Sequence, residues 1–213
     1  MFYKKIFRIE NQIAYILFSI LPVTAIIGSG VLNLSVLLID LYFIFVIVKK
    51  KQVEYLINQV FFLLILICFL LMLNSIIVAN TLESFIRTFG FIRFVIFVFS
   101  LKYFFELNSE FFKKYVLGFW VLIFMIVTLD IYLEFFRGYN LLGFKSDYNG
   151  RIASFTQDEL KIGNYYFGFI LLALSFIYIN LNKYNNLYFY FFSLLFLVTS
   201  FIIGERSNFF KVL

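Results

Sequence analysis

Between Asn11 and Val48 the chain carries a single charged residue, Asp40. No water-soluble globule tolerates thirty-eight residues of such character in one stretch, because too little polar surface would remain to cover them. The stretch is also too long for one bilayer crossing, which takes about 20 residues, and long enough for two. The Gly28-Ser29-Gly30 triplet is the natural place for the chain to reverse. Pro22 falls inside the first crossing, where a local kink is tolerated.

The rest of the chain repeats the pattern. Apolar runs predict seven spans, at 13–30, 31–48, 56–78, 85–104, 115–133, 163–181 and 187–203, with one polar loop at 134–162. The fold class is therefore all-α, a polytopic transmembrane helix bundle forming one membrane domain over residues 1–213. Composition agrees: 63% of residues are hydrophobic and 14% charged, against about half and about a quarter in soluble domains. Phe, Ile, Asn, Tyr and Lys are over-used together. That bias fits an AT-rich coding sequence and explains the 34 Phe and 15 Tyr without an aromatic binding surface. The basic segment from Met1 to Arg8 leads into an apolar stretch too long for a cleavable signal peptide.

Lysines orient the bundle. With the N-terminus in the cytoplasm, Lys4, Lys5, Lys49, Lys50, Lys51, Lys102, Lys113, Lys114 and Lys183 all lie inside, nine of the twelve lysines. The net charge of +6 then reflects topology and calls for no nucleic acid partner. The 134–162 loop and the C-terminal end face outward, which in a bacterium is the periplasm.

Arginines take the opposite side. Apart from Arg8, they are Arg87, Arg93, Arg137, Arg151 and Arg206, all in the outer half or outer loops. A guanidinium grips phosphate oxygens in pairs, whereas an ammonium acts as a point charge. The plainer reading pairs these arginines with Glu83, Asp130, Glu134, Asp158 or Glu159, or with lipid headgroups. Arg93 lies about 9 Å deeper than Arg87 by helix rise, so it is expected to face a protein cavity, with Asp130 as its intramembrane partner and Glu134 one turn above. With no His and a single Cys68, the chain offers neither a metal-ligand cluster nor an internal disulfide. No cofactor is expected.

The segment LDIYLEFFRGYNLLGFKSDYNGRIASFTQDELKIGNYYF, residues 129–167, resembles the O-antigen ligase and O-antigen polymerase superfamily of bacterial inner membranes. The likeness rests on Asp130 at a span end, the Gly138-Tyr139-Asn140-Leu141-Leu142-Gly143 turn, Arg151, Phe155, and Asp158-Glu159-Leu160 before Gly163. Ile203-Gly204-Glu205-Arg206-Ser207 and the early Leu21-Pro22 to Gly28 stretch, followed by Asn33, extend it along the chain.

The resemblance implies a metal-independent, multi-pass inner-membrane glycosyltransferase acting at the periplasmic face. Its donor would be an undecaprenyl-pyrophosphate-linked glycan and its acceptor a lipid A-core sugar or a second lipid-linked glycan. Arg151 and Arg206 match the family's pyrophosphate-binding positions, and Arg93 and Arg87 are candidates by location. Cations on the pyrophosphate would stabilise the leaving group as the sugar–phosphate bond breaks. The catalytic base is open, with Asp158, Glu159, Asp130 and Glu134 as the outward carboxylates. The family's membrane domain is longer, so this chain is expected to be the front part of such a protein. Two alternatives stay open: a transporter or flippase for a lipid-linked or anionic solute, with Arg93 and Asp130 lining its path, and a degenerate, inactive membrane protein.

Overall fold

The computed structural model of the chain describes residues 12–79, 81–146, 150–156, 161–181 and 186–204. The structure is 85% helical, and the described residues contain no strand, so the chain is all-α. In order come α1 (Gln12–Ile27), α2 (Ser29–Lys49), α3 (Gln59–Val78), α4 (Leu82–Gly90), α5 (Ile92–Leu107), α6 (Ser109–Arg137), α7 (Ile162–Leu181) and α8 (Asn186–Ile202). Five helical stretches are long and apolar enough to cross a membrane: α2, α3, α4 with α5, α6 and α7. The chain is a multi-pass membrane protein. The remaining apolar helices, α1 and α8, are shorter.

The seven expected spans correspond to these helices, and local chemistry moves their ends. The Leu21–Ile27 part of α1 opens with Pro22, and the helix stops at Gly28, so the reversal needs one residue where three were expected. Asn58 sets the start of α3 three residues later than the apolar run suggests, because its Oδ1 accepts the Phe61 N–H at 2.8 Å. Thr81 caps α4 by accepting the Ser84 N–H at 3.3 Å. Phe91 then separates α4 from α5 within what the sequence reads as one span. The fifth span continues to Arg137, four residues beyond its expected end. Asp130 and Glu134 are buried and hydrogen-bonded there, so neither charge terminates the helix. Gly138 does so, in the left-handed conformation (φ 79°), with its N–H donating to Glu134 O.

The chain forms two compact units, Met1–Phe18 with Asn33–Ser109, and Ser19–Leu32 with Glu110–Leu213. Aromatic packing holds the first. Phe18 of α1 meets Phe97 and Phe104 of α5 at 5.9 and 6.0 Å, and Phe43 of α2 meets Tyr103 and Phe104 at 5.7 and 6.3 Å. Each such ring pair contributes about 0.5–1.5 kcal/mol beyond its burial.

The second unit is centred on Phe124 of α6, Tyr166 of α7 and Phe196 of α8. Their ring centroids lie 4.7, 5.1 and 6.4 Å apart, and all three side chains are buried. Ala25 and Ile26 of α1 pack against this cluster. Ile152 and Ile203 belong to the same core, so it extends from the apolar helices to the loop that follows α6.

Candidate functional site

The site grows from the last two turns of α6. Asp130 and Glu134 are four residues apart and share a helix face. Both are buried, Asp130 completely and Glu134 at 6% exposure. A buried carboxylate must be satisfied by hydrogen bonds or a counter-charge. Here the loop after the helix returns and supplies the donors. Asp130 Oδ1 accepts the Leu141 N–H at 2.7 Å, and its Oδ2 accepts the Ser154 hydroxyl at 2.6 Å. Glu134 Oε2 accepts the Ser154 N–H at 2.6 Å, and Oε1 accepts the Ala153 N–H at 3.3 Å.

Asn140 shapes the near end of the loop. Its Oδ1 accepts the N–H groups of Leu142 and Phe144 at 3.0 and 2.8 Å, and its Nδ2 donates to Ser154 O at 2.7 Å. Ser154 therefore uses its N–H, hydroxyl and carbonyl at once, and it does so in the left-handed region, with φ at 51°. That conformation is unfavourable for a residue with a side chain and persists only where the surroundings enforce it. Three short bonds do so here.

The far end of the loop is fastened to the end of α8. The Ile152 N–H donates to Ile203 O at 3.3 Å. Gly204, at φ 79°, lies so close that a Cβ there would stand 2.5 Å from Gly150 O. Only glycine permits this approach.

Between these fastenings the loop forms one side of a cavity of about 230 Å³, with Lys145, Ser146, Gly150 and Arg151 from the loop and Glu134 and Gly138 from the end of α6. Arg151 and Lys145 are both exposed. The space is about that of one sugar ring or one diphosphate group, below the roughly 300–1,000 Å³ of most ligand pockets. An anion there would face the two cationic side chains of Arg151 and Lys145, with the Glu134 carboxylate, already occupied by backbone N–H groups, at the cavity wall.

The residues singled out in the sequence are divided between the two units. Asp130, Glu134 and Arg151 come together in the second unit. Arg87 and Arg93 belong to the first unit. Arg87 is exposed and pairs with Glu83 one turn away, the plain salt bridge the sequence allowed for. Arg93 was expected opposite Asp130. Its Nη2 instead donates to Asn33 Oδ1 at 3.0 Å and its guanidinium lies over the Phe94 ring, while Asp130 is occupied by the loop. A backbone N–H and a hydroxyl satisfy that carboxylate without an arginine. Asp158, Glu159 and Arg206 lie outside the described residues.

With all four of their oxygens accepting hydrogen bonds, Asp130 and Glu134 act as organisers of the loop. Lys145 and Ser154 were missed in the sequence. Lys145 had a signal, being one of the three lysines that the orientation rule leaves outside. Ser154 had none, since its role depends on a loop returning to α6. No family profile, curated protein or solved structure matches this chain.

Proposed function

We propose that this chain is an O-antigen ligase- or polymerase-like glycosyltransferase of the bacterial inner membrane. In this reading it grips the pyrophosphate of an undecaprenyl-linked glycan at the periplasmic face and passes the glycan to lipid A-core or to a second lipid-linked chain. The observation that supports it most is the stapled loop, in which buried Asp130 and Glu134 hold a backbone that carries Arg151 and Lys145 beside a cavity of about 230 Å³.

The chemistry follows from charge. Breaking a sugar–phosphate bond leaves negative charge on the departing pyrophosphate. Guanidinium and ammonium groups beside the departing pyrophosphate stabilise that charge as it develops. The pocket admits one diphosphate-sized group, so the glycan and the polyprenyl tail extend beyond it. Arg206 follows Gly204 by two residues and is the further cation expected from the sequence resemblance.

The test is glycan transfer in membranes containing this chain, with a labelled undecaprenyl-pyrophosphate oligosaccharide as donor. Transfer is expected to fall at least about tenfold in Arg151→Lys, because an ammonium cannot reproduce the bidentate contact. Equal transfer by Arg151→Lys would refute the role of this arginine. Donor binding without any transfer would refute the transferase reading.

A further inference from the structure

In the first unit, side chains of α2 and α5 meet in the same order along both helices, so the two run parallel. Asn33 bonds Arg93, sixty positions on, and the same offset recurs where the Phe43 ring meets Tyr103. Asp40 and Ser100 fall between these two contacts, seven residues after Asn33 and Arg93 respectively. Asp40 lies two helical turns beyond Asn33 on one face of α2, and Ser100 two turns beyond Arg93 on one face of α5.

Both members of this middle layer are buried, Asp40 at 5% exposure and Ser100 at 0%. Among the described residues, neither oxygen of the Asp40 carboxyl has a hydrogen-bond partner, nor has Ser100 Oγ, nor Nε of Arg93 one layer away. Protein interiors rarely leave such groups without a bond, and where no side chain supplies one, water is the usual donor and acceptor. Ionisable groups inside a span commonly face a water-filled cavity or one another.

The polar layers continue to the far end of α5. Tyr103 donates its hydroxyl to Gln52 Oε1 at 2.7 Å and accepts from Lys50 Nζ at 3.4 Å. Gln52 is exposed. Polar side chains thus recur along α5 at Tyr103, Ser100 and Arg93, with the buried Phe43 and Phe104 rings packed against Tyr103.

We propose that the α2–α5 interface is a hydrated seam. Water enters past Lys50, Gln52 and Tyr103 and binds at Asp40 and Ser100, giving protons a route to a carboxyl deep in the membrane. This site belongs to the first unit and does not depend on the transferase reading.

Substituted-cysteine labelling tests it, because Cys68 is the only native thiol. In a Cys68→Ala background in liposomes, a charged methanethiosulfonate reagent is applied to both faces. It reacts with thiolate, which forms only where water reaches. Ser100→Cys is compared with Val98→Cys, close in depth but 54% exposed on the outer surface of the helix, and Asp40→Cys with Leu41→Cys, 57% exposed. The seam residues are expected to label at least about tenfold faster than their lipid-facing neighbours. Equal or slower labelling overturns the proposal. Should the cysteine variants fail to fold, solid-state NMR on the unmodified protein gives the same reading. Magnetisation transfer from water to the Asp40 carboxyl carbon is expected, and its absence overturns the proposal.

Discussion

Replacing Glu134 with Gln changes one atom and the charge, keeps the side chain's shape, and asks whether this carboxylate holds the loop. Glu134 accepts the Ser154 N–H at 2.6 Å and the Ala153 N–H at 3.3 Å. Hydrogen bonds to a charged group contribute about 1.5–3 kcal/mol each. The amide keeps one acceptor oxygen and turns an NH₂ group toward the other N–H, so one charged bond is lost and the second weakens. The loop should open more easily by about 2–3 kcal/mol, which raises the open population roughly 30- to 150-fold at about 1.4 kcal/mol per decade. Trypsin cutting after Arg151 reports that population when reclosing outpaces cleavage. In nanodiscs, which expose both faces, Glu134→Gln should be cut at Arg151 faster by that factor, while Glu83→Gln, at an exposed ion pair, should be cut like the parent. Cleavage of Glu134→Gln within about twofold of the parent, less than half a kcal/mol, would refute the stapling.

Gly204→Ala should push Gly150 and Arg151 away from the end of α8, since the added methyl meets Gly150 O at 2.5 Å and the backbone is left-handed. A cost of about 1–3 kcal/mol is expected, seen as faster hydrogen exchange at the Ile152 amide. At Ser154 the order of damage should invert the usual one. Ala removes the bond to Asp130 and keeps the unfavourable φ of 51°, whereas Gly removes the bond and relieves the backbone. Ser154→Gly should therefore melt above Ser154→Ala, and the reverse order would contradict the strain. Tyr55, in the turn between α2 and α3, ionises above the ordinary tyrosine value of 10.0, mainly through burial and then through its hydrogen bond to Glu106. The folded state thus holds that proton more tightly than the unfolded chain, so this stabilisation is complete below the ordinary value and is lost as pH rises through the higher folded value. Tyrosinate absorbance compared with Tyr55→Phe should show the missing group titrating above the ordinary range.

The membrane helices were legible because each span is a local statement of length and hydropathy, readable without tertiary contacts. Their ends were less so. Asn58 and Thr81 are ordinary polar residues until their side chains accept a helix N–H, and the extension of α6 to Arg137 depends on what the loop does with Asp130 and Glu134. The carboxylates themselves were legible as a pair one turn apart at a membrane boundary. Their partners were not, since backbone N–H groups at Leu141, Ala153 and Ser154 leave no mark on side-chain chemistry. Asp130 is satisfied by a peptide N–H and a hydroxyl, partners that a carboxylate in a span does not announce. The seam at Asp40 was half legible: a lone acid in an apolar run is conspicuous, but Ser100 gains meaning only from the register of α2 against α5.

The most direct test of the account is binding of the polyprenyl head group. Purified chain in nanodiscs is titrated with undecaprenyl pyrophosphate and with undecaprenyl monophosphate, alongside the Lys145→Gln, Arg151→Gln double variant. The parent is expected to prefer the pyrophosphate, and the double variant to lose at least about tenfold in affinity, about 1.4 kcal/mol, with its helical content unchanged. Equal affinity for the two lipids, or a double variant that binds like the parent, would contradict it.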